Sequence, residues 1–139
     1  MQKTYTKRLG ILPKKDGITH AQFVDHWLNK HAPLCVKLPG LRRYSVNLVD
    51  RQRFPNFDYD GFSELWFDSE EALVASLQGP EGKTLLADLP NFAKDVSPII
   101  SVETQILWPN FKEKLRWSPA RLADLARASP ACSWRRAPV

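Results

Sequence analysis

The sequence is short of most features that announce a particular chemistry. No apolar run approaches the roughly 20 residues that span a bilayer, so no membrane association is expected. The N-terminus, MQKTYTKR, lacks an apolar signal region, which makes a cytoplasmic address the expectation. Cysteine is limited to Cys35 and Cys132, far apart and without metal-ligand spacing, so both read as free thiols of a reducing compartment. There is no Gly-rich phosphate loop and no Gly-x-Ser-x-Gly turn, which leaves nucleotide cofactors and serine hydrolysis without support. Histidine is limited to His20, His26 and His31. On a helix of 3.6 residues per turn His26 and His31 stand roughly 140° apart, and no Cys, Asp or Glu cluster completes a ligand set. Neither a metal nor a cofactor is expected.

The body of the chain also lacks net charge. Of the formal +5, all is carried by residues 110–139, where seven Lys or Arg face only Glu113 and Asp124. A neutral body argues against nucleic-acid binding. This division suggests a folded domain over residues 1–109. The remainder, 110–139, reads as a basic extension with Trp117 and Trp134 and one short helix over Pro119 to Ala128.

What is present reads as two similar halves. Tyr5 to Pro13 is a strand in which Leu9 and Ile11 alternate against Arg8 and Gly10. Asp16-Gly17 turns the chain, and Thr19 with Gln22 forms a capping-box pattern that opens a helix. Phe23, Trp27, Leu28 and His31 recur at helical spacing and should face a core, and Pro33 should close the helix. Leu41 to Val49 is a second strand, with Tyr44, Val46 and Leu48 on one face and Arg43, Ser45 and Asn47 on the other. After an aromatic loop around Phe54 and Phe57, Gly61 to Phe67 is the strongest strand pattern in the chain. Asp68-Ser69 caps a helix that Gly79-Pro80 breaks, a further helical stretch carries Leu85, Leu86 and Leu89, and Ser101 to Trp108 reads as the last strand. The class is therefore α+β, with the ferredoxin-like order βαββαβ.

The third strand is apolar on both faces, Leu65 and Phe67 on one and Phe62 and Trp66 on the other. Two helices cover only one face of a sheet. A second copy is the simplest cover for the other, giving a homodimer whose two sheets pack into an α+β barrel. Glu64 shares the face of Phe62 and Trp66. Desolvation there raises a carboxyl pKa unless a cation pairs with it, and Arg43, Arg8 and Lys7 are the candidate partners. An acid or base in an apolar cavity is the functional alternative to that ion pair.

His31 and Tyr44 form the other constellation. They lie across a helix-to-strand turn made by Pro39-Gly40, so an imidazole and a phenol can meet and share proton chemistry. A histidine that only satisfies the last helical carbonyls is the structural alternative.

Several of these stretches resemble the EthD family of the dimeric α+β barrel superfamily. They are His31-Ala32-Pro33-Leu34, Pro39-Gly40-Leu41 with Tyr44, and Asp60-Gly61 followed by Glu64, Trp66, Phe67 and Asp68-Ser69. The resemblance covers roughly residues 5–108 and implies the same fold and barrel dimer. Its members include fungal polyketide dehydratases and a 4-methylmuconolactone methylisomerase. Against the isomerase, His31 and Tyr44 fall on a matching histidine and tyrosine, the strand cysteine is replaced by Leu65, and a second histidine has no counterpart. A simpler proton transfer is what this leaves. The expected function is a cofactor-independent lyase or isomerase acting on a small hydrophobic cyclic or aromatic metabolite. His31, Tyr44 and Glu64 would be catalytic, and His26, Asn47, Phe62 and Trp66 would line the substrate site. A non-catalytic small-molecule-binding protein of a degradative or oxidative pathway is the alternative.

Overall fold

In the computed structural model, residues 4–107 are described. The readings made for residues 110–139, including the helix over Pro119 to Ala128 and Cys132, lie outside them. The compact unit that ends at Thr104 holds every element discussed below.

That unit is an α+β fold of ferredoxin-like topology. Its four strands are β1 (Tyr5–Leu12), β2 (Arg43–Leu48), β3 (Gly61–Phe67) and β4 (Ser97–Glu103), and they lie in the antiparallel order β2-β3-β1-β4. Between β1 and β2 run α1 (His20–His26), a π-helical turn (Trp27–His31) and α2 (Ala32–Cys35). Between β3 and β4 run α3 (Glu70–Gln78), α4 (Pro80–Asp88) and a 3₁₀ turn at Leu89–Asn91.

Local chemistry accounts for most boundaries. Gly17 turns the chain at φ 85°. Thr19 caps α1 with both bonds of the capping box, its hydroxyl accepting from the Gln22 N–H and the Gln22 side chain accepting from its own. The Ser69 hydroxyl accepts from the Ala72 N–H at the start of α3. Gly79 ends α3, and Pro80 opens α4 in the first-turn position that suits proline. Among the described residues no helix is long and apolar enough to cross a membrane.

The register divides the sheet into two faces. Against the helices lie Arg8, Gly10 and Leu12 of β1, Tyr44 and Val46 of β2, and Ser63, Leu65 and Phe67 of β3. The core on this side has two patches, one around Cys35, Leu38, Leu65, Phe67, Leu73 and Leu85, the other around Leu12, Phe23, Trp27, Phe92 and Ala93. The opposite face carries Lys7, Leu9 and Ile11, then Ser45 and Asn47, then Phe62, Glu64 and Trp66, with Ile99 on β4.

On β1 the core side falls to Arg8, Gly10 and Leu12, and Leu12 is the buried leucine of the strand. Three readings of the sequence are corrected here. The helix does not stop before Pro33 but runs on to Cys35. The widened π turn precedes Pro33, where the ring would otherwise collide with the carbonyl four residues back. Leu28 is 43% exposed, while Phe23, Trp27 and His31 are buried as expected. The last strand is Ser97–Glu103 rather than 101–108. It pairs with β1 from Ser97 opposite Ile11 to Glu103 opposite Tyr5, where β1 begins, so the ladder runs out of partner there. Ile106 and Leu107, which suggested the longer strand, are almost fully exposed.

Candidate functional site

The π turn creates the most unusual arrangement in the molecule. An α-helix would send His26 and His31 to different sides, but the i→i+5 bond from the Ala32 N–H to the Trp27 carbonyl lets residues five apart converge. Both imidazoles reach Asp88 at the end of α4. His31 Nδ1 lies 2.8 Å from Asp88 Oδ2, and His26 Nε2 lies 3.0 Å from each carboxylate oxygen. Asn91 Nδ2 donates to Oδ1 at 3.0 Å. Phe92, fully buried, places its ring 4.9 Å from that of His26, nearly parallel, and 4.8 Å from that of His31.

These contacts set the protonation states. Burial pushes the His31 pKa below its ordinary value, and the Asp88 contact only partly opposes this. Desolvation works to raise the Asp88 pKa, but Asn91, His31 and His26 outweigh it and hold the carboxyl below its usual range. An ionised carboxylate only accepts hydrogen bonds, so His31 donates from Nδ1 and Nε2 keeps its lone pair. That is the geometry of a histidine oriented for use as a base.

His31 lines a small cavity between the helices and the sheet. The polar groups around it are Arg8, Cys35, Tyr44 and Ser63, and the apolar wall includes Trp27, Leu65 and Leu85. About 20 Å³ is open to the centre of a water-sized sphere, room for one water. The Tyr44 hydroxyl is buried with no partner at hydrogen-bond geometry, and the Trp27 indole and Cys35 thiol are the polar groups beside it. Burial, with the Cys35 thiol beside it, pushes the phenol pKa well up, and burial pushes the Cys35 thiol to about 12, so both stay protonated. Gly10 makes the room: a Cβ there would stand 2.8 Å from Ser63 Oγ and 3.3 Å from Arg8 Nη1.

The residues selected from the sequence do not form one site. His31 and Tyr44 line the same cavity. Glu64 is on the other face of the sheet, because β-strand neighbours alternate and it has the opposite parity to Ser63 and Leu65. Its carboxylate takes Lys7 Nζ at 2.9 Å, Ser45 Oγ at 2.8 Å and Asn47 Nδ2 at 3.3 Å. Desolvation works to raise its pKa, yet Lys7, Ser45 and Asn47 outweigh it and hold the carboxyl below its ordinary value. Of the candidate cations, Lys7 is the partner. Asn47, Phe62 and Trp66 share that face and do not touch the cavity. Trp66 is buried, with Lys7 4.8 Å from its ring centroid, Arg43 at 6.0 Å, and its indole N–H donating to Glu103. His26 stands on Asp88 rather than among the cavity residues.

Asp88, Ser63 and Phe92 were not selected from the sequence, and Arg8 was named there only as a candidate partner of Glu64. Arg8 had a signal, a charge in register with Gly10 and Leu12 on a central strand. Asp88 had none, being 57 residues from His31. Among the described residues no group of three His, Cys, Asp or Glu is arranged to hold a metal ion.

Residues 15–95 match the EthD domain, and the chain belongs to the EthD family. A curated relative, an uncharacterised 11.0 kDa protein from the thcB–thcC intergenic region of Rhodococcus erythropolis, is 25% identical over 89 residues, 64% of this chain and 86% of that one. Among solved structures, an EthD family protein from Bacillus halodurans is 27% identical with a TM-score of 0.63, covering 72% of this chain and 99% of its own. A dimeric ferredoxin-like protein of unknown function from Thermobifida fusca matches at 16% identity and TM-score 0.60 over 74% and 94%. SnoaB, a cofactor-independent oxygenase from Streptomyces nogalater, matches at 14% identity and TM-score 0.50 over 77% and 97%. The last two are similar in fold.

Proposed function

We propose that this chain is a cofactor-independent enzyme of lyase or isomerase type, acting as a cytoplasmic homodimer on a small hydrophobic cyclic or aromatic metabolite by proton transfer. The observation that carries this reading is the 2.8 Å bond from His31 Nδ1 to Asp88 on an imidazole that lines the cavity of Tyr44. His31 Nε2 removes or returns a proton. Asp88 holds the tautomer and stabilises the imidazolium that forms. Tyr44 donates from its otherwise unpartnered hydroxyl to the oxygen on which charge develops. A cavity that admits one water is smaller than a metabolite, so entry moves Leu86 and Leu89, which line it from α4 and the turn beyond.

The test is deuterium exchange and turnover in D2O over a panel of unsaturated lactones and cyclic 1,3-dicarbonyls, with mass-spectrometric detection. His31→Ala is expected to lower the rate by about 10² to 10⁴ with the fold intact. Rates unchanged in His31→Ala would end the reading.

The homodimer rests on the open sheet face, where Phe62 is 39% and Ile99 44% exposed. The dimeric Thermobifida fusca protein shares this fold. Light scattering should give twice the chain mass at micromolar concentration, and Phe62→Asp should reduce it to the monomer, because an unpaired buried charge is costly.

A further inference from the structure

Arg8 stands out in the cavity because nothing there answers its charge. It is half-buried on the central strand, its Nη1 turned back over Gly10 beside Ser63. No Asp or Glu is among the residues lining the cavity, and among the described residues Arg8 makes no hydrogen bond or ion pair. The carboxylate bound to the cavity's His31, Asp88, is taken up by two histidines and Asn91. Other arginines of the unit are matched, Arg42 with Asp68 at 2.7 Å and Arg51 with Asp60 at 2.7 Å. A half-buried guanidinium facing neutral groups is costly unless a ligand completes it. The buried Tyr44 hydroxyl, also without a partner, lines the same space.

We infer that Arg8 is the anion-recognition residue of this site, and that its ligand carries a carboxylate whose two oxygens are taken by the Arg8 guanidinium, which leaves the one Tyr44 O–H for the reacting oxygen. The inference rests on the proton-transfer reading for the reaction but not for the binding. The guanidinium fork suits a planar carboxylate, and once Leu86 and Leu89 have moved to admit it, an apolar ring attached to that group would meet Trp27, Leu65 and Leu85. The substrate class narrows accordingly to a hydrophobic ring acid.

The probes are benzoate and benzamide, which share one shape and differ in charge, titrated into the full chain by calorimetry with the His31 ring signals followed by NMR. Benzoate should bind at least about tenfold more tightly than benzamide and move the His31 signals. Arg8→Met should lose that preference, and Arg8→Lys should retain part of it. Equal binding of the two probes, binding of neither, or a benzoate preference that survives in Arg8→Met would overturn the inference. Should Arg8→Met fail to fold, the comparison of the two probes on the unchanged protein and on Arg8→Lys still decides. His31→Asn separates the two proposals. A benzoate preference kept in that variant, with proton exchange either absent from the unchanged protein or undiminished in the variant, supports Arg8 and overturns the proton-transfer reading. Exchange that requires His31 with no benzoate preference does the reverse.

Discussion

Two carboxylates sit on opposite faces of the same sheet, and their surroundings differ in kind. Glu64 takes its bonds from Lys7, Ser45 and Asn47, all on adjacent strands of its own face. Asp88 takes its bonds from Asn91 and from two imidazoles that the chain folds back over α4. Both are held below the ordinary carboxylate range despite desolvation. The partner decides what each can do. An ammonium stays charged across the neutral range, so Glu64 is the acceptor of a permanent ion pair. An imidazole gains and loses its proton near neutrality, so Asp88 anchors a group that can work as a base.

The largest contrast should come from removing each acid. Asp88→Ala leaves His26 and His31 facing Phe92 without an acceptor and is expected to lose about 1–3 kcal/mol in urea unfolding. It should also remove most of any His31-dependent turnover. An Asp88→Ala protein as stable and as active as the original would erase the distinction between the two faces.

Tyr44→Phe should act with the opposite sign on stability. Its hydroxyl is buried and unpartnered, so deleting it is expected to raise stability by about 1 kcal/mol. Turnover should fall, because the same hydroxyl is assigned to the reacting oxygen. Thermal melts and turnover on one preparation separate the two effects, and a lowered melting temperature would show that the hydroxyl has a partner in solution.

The pH dependence sharpens the comparison further. His31 in the folded chain binds a proton less well than its ordinary pKa of 6.5 implies, so the unfolded chain takes up more protons below that pH. Stability should therefore be flat above about 7 and fall as pH drops through 6.5, with that slope removed in His31→Gln. The depressed carboxylates contribute stability that is present above their ordinary pKa values, 4.5 for Glu64 and 3.8 for Asp88, and is lost as pH falls below them. Urea midpoints from pH 8 to pH 3 would show the helix side of the sheet responding first. A slope between pH 7 and 5 that persists in His31→Gln would assign it elsewhere.

Glu64→Gln should have the smallest effect, less than about 1 kcal/mol, since its pair with Lys7 is partly exposed and the amide retains bonds to Ser45 and Asn47. Turnover should be unchanged. A loss comparable to that of His31→Ala would bring the open face back into the chemistry.

The legible parts of the site were those set by short-range pattern. Strand alternation placed Glu64 with Phe62 and Trp66, and Ser45 and Asn47 opposite Tyr44 on β2, but only the register showed that Tyr44 and Glu64 lie on different faces of the sheet. Helical spacing found Phe23, Trp27 and His31 as buried positions. The same rules failed where the backbone departed from its ideal period. The π turn changed the relation of His26 to His31, and Leu28, which lies within that turn, is exposed. On β1 they left the faces unassigned, because Leu9 and Ile11 on one side and Arg8, Gly10 and Leu12 on the other leave the parity undecided by hydrophobicity alone.

The sequence by itself determined the order of strands and helices, the caps at Thr19 and Ser69, the break at Gly79-Pro80 and the two-sided apolar character of β3. These depend on neighbours within a turn or a hairpin, and hydrophobic period and backbone donors act at that range. The tertiary structure alone decided that Arg8 rather than Leu9 faces the helices, and that β4 ends where β1 begins. It also decided that His26 and His31 meet on Asp88. Each of these is settled by what lies opposite after folding, across 57 residues in the case of His31 and Asp88, and no local period encodes a partner at that distance.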